Sequence, residues 1–358
     1  MTSALFEPIH LRGLTLPNRI VVSPMCQYSA ADGDASDWHV IHLGHLALGG
    51  AGLLILEATA VDPVGRITPH CLGLWSDANE IALRGVLDVV RRHSPIPLAI
   101  QLGHAGRKAS SRRPWDGGGQ LSPEEGGWEC VAPSAVPHAD GELPPRALPA
   151  GELPQLVEAF VRAAGRAERL GFDAIELHAA HGYLLHEFLS PLANRRDDAY
   201  GGSLENRLRF PLEVVAAVRD AWPEDRPLGV RVSATDWVEG GWDIDQTLVL
   251  AGELRRLGVD WIDASSGGIS PHQTVPAGPG YQVPLAAAIR SSSGIPTIAV
   301  GLITEPRHAE EIVASGQADM VTLARGMLYD PRWAWRAAAE LGATTYAPPQ
   351  YRRALPAG

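Results

Sequence analysis

Eight short apolar runs alternate with stretches of helical periodicity along this 358-residue chain, at 19–25, 52–60, 97–103, 172–178, 228–233, 261–265, 297–301 and 320–325. Several are apolar throughout instead of alternating, the pattern of parallel strands covered on both faces. Three runs start through a helix-stopping glycine and an aspartate, at Gly171-Phe-Asp173, Gly258-Val-Asp260 and Gly316-Gln-Ala-Asp319, and Gly52 starts the second run the same way without the aspartate. The runs between them start through proline, at Pro97, Pro227 and Pro296. Two alternating kinds of start fit a closed barrel whose interior layers are filled by alternate strands. Eight β-then-helix units favour an α/β (β/α)8 TIM barrel over an open sheet.

The intervening helices carry their own signals. Residues 152–170 place Leu153, Leu156, Val157, Phe160, Val161, Ala164 and Leu170 on one stripe, and Gly171 follows as the stop. Ser203 is placed to cap a helix with Glu205 in its first turn, and Pro211 predicts a kink or restart within it. A segment at 246–257 ends at Gly258, and Thr304 is expected to cap one that has Pro306 in its first turn and stops at Gly316. No linker divides the chain, so residues 1–358 read as one barrel domain. The one long connection, 109–151, is dense in Pro and Gly, carries Trp115 and Trp128, and follows the C-terminal end of the third strand. Barrel active sites are built at that end, which makes this stretch a cap over the site. The tail, 343–358, is irregular.

Composition excludes several function classes. The formal charge is −11 with no basic stripe, against binding to nucleic acid or an anionic membrane. Cys26, Cys71 and Cys130 are too scattered for a zinc ribbon, a cysteine-ligated cluster or a disulfide framework. Glu7 and the lack of an apolar h-region argue against a signal peptide, and no apolar run reaches the ~18 residues that span a bilayer. The expectation is a soluble, cytoplasmic protein.

Chemistry in such a barrel sits where the strands end. Gly301 at the seventh end, with Ala324, Arg325 and Gly326 at the eighth, suits an anion held by backbone N–H groups and a guanidinium; glycine turns and a surface arginine are the alternative. Arg231 closes an apolar strand and needs an anionic partner, either a flavin that becomes anionic on reduction or a structural Asp or Glu. The densest constellation is His178-x-x-His181-x-Tyr183, which could polarise a carbonyl and deliver a proton. A metal site using His186 or Glu187 and a set of structural histidines are its rivals. His39, His42 and His45, at i, i+3 and i+6, read as a polar helix face; Trp333 and Trp335 read as packing or interface residues; spacing gives His104 and Lys108 no role.

Together these strand ends resemble the old yellow enzyme family. The likeness is carried by Ser23-Pro-Met-Cys26 with Tyr28, Glu57-Ala-Thr59, Gln101-x-x-His-Ala-Gly-Arg-Lys108, His178-Ala-Ala-His-Gly-Tyr183, Tyr200-Gly-Gly-Ser-x-Glu-Asn-Arg207 and Arg231-Val-Ser. The Cys26/Tyr28 pair, the two histidines and the terminal Gln350-Tyr-Arg-Arg353 are similar to the thermophilic-like subgroup. The resemblance implies non-covalent FMN, reduced by NADPH or NADH and reoxidised by an activated alkene such as an enone, enal or maleimide. By the same resemblance Ser23, Pro24, Met25, Cys26 and Ala58 line the flavin ring, Gln101 and Arg231 meet its pyrimidine edge, and Gly301, Ala324 and Arg325 take the phosphate. His178 and His181 would bind the substrate carbonyl, Tyr183 would protonate Cα, Tyr28 would add a contact to the substrate oxygen, and Cys26 would tune the flavin potential. Arg353 would enter the neighbouring subunit's site in a homodimer or dimer of dimers. Ala324 departs from the glycine common at that position, and the cap is long for the family. A sugar-phosphate isomerase or lyase, a larger cluster-containing flavin enzyme and a non-enzymatic barrel are the competing readings.

Overall fold

The computed structural model describes residues 3–355. Eight parallel strands close into a barrel in chain order: β1 (Ile20–Val22), β2 (Leu53–Ala60), β3 (Leu98–Gly103), β4 (Ala174–Ala179), β5 (Leu228–Ser233), β6 (Trp261–Ser265), β7 (Thr297–Ala299) and β8 (Met320–Leu323), with β8 pairing back onto β1. Each of the eight apolar runs yields one barrel strand. The first, seventh and eighth strands are shorter than their runs because the chain leaves the sheet to build the mouth. Around them lie α1 (Asp37–Ala47), α2 (Asp77–His93), α3 (Leu153–Arg169), α4 (Leu184–Leu189), α5 (Leu204–Ala221), α6 (Ile244–Arg256), α7 (Val283–Ser293), α8 (Pro306–Ala314), α9 (Arg325–Tyr329) and α10 (Trp333–Glu340).

The two kinds of strand start prove to be halves of one device. Pro97, Pro227 and Pro296 precede Leu98, Leu228 and Thr297, each of which opens a strand with an N–H that needs an acceptor. Asp173, Asp260 and Asp319, from the next strand in each case, accept those N–H groups through Oδ2 at 2.8, 2.8 and 3.0 Å. Their own backbone N–H groups return bonds to the carbonyls of the same three residues at 2.9, 2.8 and 3.0 Å. At β1 and β2 the N–H of Gly52 likewise bonds the carbonyl of Ile20, but the Ile20 N–H goes to Asn18 Oδ1. Asn18 supplies the acceptor that the missing aspartate would have given. A side chain at Gly52 would strike Asn18, since an added Cβ would lie 2.2 Å from its carbonyl oxygen.

An antiparallel hairpin, Ile9–Leu11 with Leu14–Leu16, plugs the N-terminal end of the barrel. Its Ile9, Leu11 and Leu16 pack with Val21, Ile55, Trp261, Ile298 and Met320 into an inner apolar core. Gly229 leaves the room that the Trp261 indole fills. With that end dry and filled, polar interior side chains collect higher up, toward the C-terminal mouth.

Several local expectations need correction. α5 runs unbroken through a buried Pro211, with no restart, and Ser203 caps it at Asn206 N–H. Thr304 is not the cap of α8: Glu305 holds that position in extended conformation with no side-chain cap bond, because Pro306 begins the helix immediately after it. His39 is buried, bonds the Ser36 N–H in the capping box of α1 and lies 3.3 Å from Glu57, so the first histidine of that helix faces the core. Of the two alternatives for Trp333 and Trp335, packing is the one observed: both are buried, their indoles donating to the Thr304 and Tyr346 carbonyls.

The 109–151 connection is partly ordered into short turns and a two-stranded parallel pair, Val131–Ala132 with Arg146–Ala147. It covers part of the mouth: Trp115 meets Tyr28 edge-on at 5.7 Å between ring centroids, and the Trp128 indole donates to the Val64 carbonyl. The tail ends in a turn, Pro349–Ala354; its last three residues, 356–358, lie outside the described residues.

Candidate active site

β4 delivers His178 into the mouth, and the turn after it delivers His181 and Tyr183. The His178 ring lies 5.2 Å from that of His181 and 4.8 Å from that of Tyr183, both edge-on. The Ala180 N–H donates to His178 Nδ1 at 3.2 Å. A neutral imidazole that accepts at Nδ1 carries its proton on Nε2, so His178 is a hydrogen-bond donor toward the mouth. Burial, with the positive charge of Arg231, drives the basicity of both imidazoles well below that of free histidine, which keeps them neutral. Burial and the nearby Cys26, Tyr28 and Cys71 push the Tyr183 phenol well up, so it keeps its proton.

His181 takes a left-handed backbone, φ +59°. Its N–H donates to Ser233 Oγ at 2.9 Å and its Nε2 lies 2.7 Å from Ser265 Oγ, so β5 and β6 both orient it. Gly182 and Gly268 let the β4 and β6 turns touch: a Cβ at Gly182 would sit 2.1 Å from the Gly268 carbonyl oxygen, and one at Gly268 would sit 2.5 Å from His181 Cα. Lys108 fastens this junction. Its ammonium donates to the carbonyls of His181 at 2.8 Å and Gly268 at 3.0 Å, and lies 5.3 Å from the centre of the Tyr183 ring. Burial lowers it to about 8.

Below the turn, His186 Nδ1 accepts the Gly182 N–H at 2.9 Å while its Nε2 lies 2.9 Å from Asp236 Oδ1, both side chains fully buried. Glu187 accepts the Arg107 N–H at 2.8 Å. The two residues that a metal site would have recruited thus hold backbone instead, His186 the turn after β4 and Glu187 the turn after β3. Lys108 and Asp236 hold the surroundings of the cluster in a way that sequence reasoning missed. The HAGRK string contains Lys108, but nothing in spacing says that its ammonium crosses to β4 and β6.

The β1 end brings Ser23, Pro24, Met25, Cys26 and Tyr28 to the same mouth. Ser23 Oγ accepts from Arg231 Nη1 at 3.1 Å. Burial, together with Cys71 and Glu57, raises the Cys26 thiol well above its ordinary range, and burial beside Cys26 raises the Tyr28 phenol too, so both keep their protons. Ala58 joins His178 and Tyr183 around a small hollow between β2 and β4. Arg231 has the structural partner foreseen as one alternative, Asp263 at 3.3 Å, and its Nη2 makes no protein hydrogen bond among the described residues. Gln101 donates to Glu176 Oε1 at 2.8 Å.

At the opposite side of the mouth, Gly301, Thr304, Ala324 and Arg325 line a cavity of about 190 Å³. Gly301 needs its φ of +120°, which glycine alone adopts readily. Arg325 is exposed and forms no hydrogen bond or ion pair among the described residues, so its guanidinium is available to an anion. Arg353 is exposed on the tail turn and does not join the cluster. The other predicted site residues, Ser23 to Cys26, Tyr28, Ala58, Gln101, His178, His181, Tyr183, Arg231, Gly301, Ala324 and Arg325, lie on barrel strands or on the turns that follow them.

Comparison with known proteins agrees with that convergence. Residues 4–343 match the model of the NADH:flavin oxidoreductase / NADH oxidase family. An NADPH dehydrogenase of Geobacillus thermodenitrificans is 46% identical over 355 residues, 99% of each chain. A morphinone reductase solved with tetrahydroNAD superposes with a TM-score of 0.78 at 32% identity, covering 97% of this chain and 93% of that one. A 2-naphthoyl-CoA reductase superposes with a TM-score of 0.84 over 96% of this chain; at 24% identity, and with only 53% of that chain covered, this is a likeness of fold alone. The protein is an oxidoreductase, and the chain belongs to the NADH:flavin oxidoreductase / NADH oxidase family, in keeping with the old yellow enzyme motifs at its strand ends.

Proposed function

We propose that this chain is an FMN-dependent ene-reductase that takes reducing equivalents from NADPH or NADH and reduces the C=C bond of α,β-unsaturated carbonyl compounds. The observation that carries the reading is the His178, His181 and Tyr183 cluster: two imidazoles held neutral, one with its proton fixed on Nε2, against a phenol that keeps its proton. The mouth also fits the cofactor. Ser23, Pro24, Met25, Cys26 and Ala58 would line its ring, Gln101 and the free Nη2 of Arg231 would meet its pyrimidine edge, and Gly301, Ala324 and Arg325 would hold its phosphate. Bound there, the flavin supplies hydride transfer from the nicotinamide and on to the alkene.

The chain's own residues do the rest. His178 Nε2–H donates to the substrate oxygen. His181 joins it through Nδ1–H if the Ser265 hydroxyl donates to Nε2, which the 2.7 Å contact allows. Two neutral donors in a desolvated pocket stabilise the enolate character that grows on that oxygen. Tyr183 holds the proton for Cα, Tyr28 adds a contact to the oxygen, and the Cys26 thiol tunes the flavin. Nicotinamide and enone use the same space in turn, so the kinetics are ping-pong. Arg353 completes the site of a neighbouring copy in a homodimer or dimer of dimers. Truncation after Pro349 then impairs turnover, and unchanged activity would remove that role.

Anaerobic reduction with NADPH followed by 2-cyclohexenone tests the reading. A yellow protein bleaches and regains its colour. Bleaching without recovery moves the oxidant to another class, and a protein that stays colourless with added FMN overturns the proposal.

A further inference from the structure

The barrel contains two buried carboxyl groups to which the proposed reaction gives no task. Glu176 on β4 and Asp263 on β6 point into the interior below the mouth, and both are fully buried. A single guanidinium serves them: Arg231 Nε lies 3.3 Å from Asp263 Oδ2, and the same positive charge acts on Glu176. Glu176 accepts from Gln101 Nε2 at 2.8 Å and from the Trp261 indole at 3.1 Å. Neither oxygen of Asp263 receives a hydrogen bond from the described residues. The groups facing the pair are thus Arg231 from β5, Gln101 from β3 and Trp261 from β6. The neutral His178 and His181 lie nearer the mouth.

With both carboxyls ionised, the cluster would hold one net negative charge in a dry interior. Binding one proton makes it neutral, and desolvation raises both acids, with repulsion from Asp263 adding to it at Glu176 and Arg231 opposing it at both. The proton belongs to the pair and to neither residue alone. The surroundings suit both states. The Gln101 amide donates to a carboxylate as it stands; turned over, its oxygen accepts from a carboxylic acid. Gln101 and Arg231 are also the two residues assigned above to the flavin's pyrimidine edge.

We propose that Glu176 and Asp263 form a proton-binding site that gains one proton from solvent when negative charge is placed on the flavin held by Gln101 and Arg231, and returns it when that charge leaves. This rests on the flavin reading given above. With a flavin bound, a hydride taken from NAD(P)H would leave NAD(P)+ and one added negative charge, and the carboxyl pair would gain one H+. When that hydride is given up to Cβ of the alkene, Tyr183 would supply the proton to Cα and be reprotonated from solvent, and the pair would release its proton. The added charge on the flavin competes for Arg231, which weakens the hold of Arg231 on the carboxylates and favours their protonation.

Two readouts on the full-length protein test this, using Glu176→Gln and Asp263→Asn, so that a failure of one variant to fold still leaves the other. Either amide leaves one carboxylate for one guanidinium. By infrared spectroscopy, the wild-type-minus-variant difference shows a protonated-carboxyl C=O band above the ordinary carboxylate titration range for each variant, the buried Glu187 carboxyl being common to all forms and cancelling; no such difference band overturns the proton site. The second readout is the flavin midpoint potential against pH. One extra proton per two electrons steepens the slope by about 30 mV per pH unit, the tenfold change in equilibrium constant for a two-electron couple. Both variants should lose that increment. A yellow protein with the same slope in all three forms overturns the coupling while leaving the flavin reading intact, and a protein that binds no flavin overturns both.

Discussion

Replacing Lys108 by methionine should separate two effects that its ammonium has at once, one on stability and one on catalysis. Burial lowers this ammonium from an ordinary 10.5 to about 8. At ~1.4 kcal/mol per pH unit of displacement, holding the charge costs the fold about 3 kcal/mol relative to water. The sign follows from linkage. Between about pH 8 and the ordinary lysine range the unfolded chain binds the extra proton, so stability rises with pH across that window. Methionine removes the penalty but strands the carbonyls of His181 and Gly268, each losing a charge-assisted bond whose net worth is ~1.5–3 kcal/mol. The two bonds together are worth ~3–6 kcal/mol, so relief of the penalty offsets half or more of the loss, and the melting temperature at pH 7 should fall by only a few degrees.

Catalysis has no such compensation. The junction that orients His181 loses its clasp, and if the whole of one such bond acts in the transition state, kcat/KM for the enone falls about 10- to 100-fold. Reduction by NADPH, which does not need the carbonyl clamp, should change little. Stopped-flow measurement of the two half-reactions separates these. In wild type the oxidative half-reaction should decline as pH rises through about 8 and the ammonium discharges; in Lys108→Met it should be flat and low, and in Lys108→Arg the decline should disappear. Glu187 faces the same ammonium and is itself raised to about 8 by burial, so Glu187→Gln should shift the decline to lower pH. An oxidative half-reaction in Lys108→Met that keeps the wild-type rate and pH profile would refute the clasp.

Other substitutions probe the site and its frame independently. Tyr183→Phe should slow the oxidative half-reaction at least tenfold with reduction by NADPH unchanged, read by single-turnover kinetics. His178→Ala should weaken binding of a phenolic inhibitor and lower kcat/KM on the order of 100-fold, whereas a purely structural histidine would alter stability alone. Arg325→Ala should loosen FMN about 10- to 100-fold in a fluorescence titration, because the arginine has no partner to retain among the described residues. Asp173→Ala should cost ~1–3 kcal/mol in urea unfolding through the unpaired N–H of Leu98, with the activity of the folded fraction intact.

The barrel was legible in the sequence because its strands are buried on both faces and their starts are marked by residues with backbone consequences. Pro97 cannot donate a hydrogen bond, Gly171 permits φ +75°, and Asp173 offers an acceptor, all visible without coordinates. The mouth residues were legible for a related reason: parallel strands place their chemistry at one end. What stayed hidden depends on register and long-range packing. That Asp263 stands opposite Arg231 follows from how β5 and β6 align, which no local pattern declares. His39 looked like part of a polar face because its neighbours His42 and His45 share its spacing, yet only His39 turns inward to Glu57. Thr304 lost the cap of α8 by one residue, the scale on which propensity cannot discriminate.

The reciprocal aspartate bonds at the strand starts divide the barrel into quarters: β1 with β2, β3 with β4, β5 with β6 and β7 with β8. Within a quarter, the first residue of one strand and the residue leading into the next hold each other by backbone and side chain, with Asn18 serving in the first quarter. Between quarters no such reciprocal clasp exists among the described residues. A chain cut between β4 and β5 keeps every clasp inside a fragment, whereas a cut between β3 and β4 severs the one made by Asp173. Co-expressed halves divided at the first position should reassemble far better than halves divided at the second. New termini or inserted domains would then be tolerated at quarter boundaries, which makes the closed ring behave, for engineering purposes, as four separable tiles.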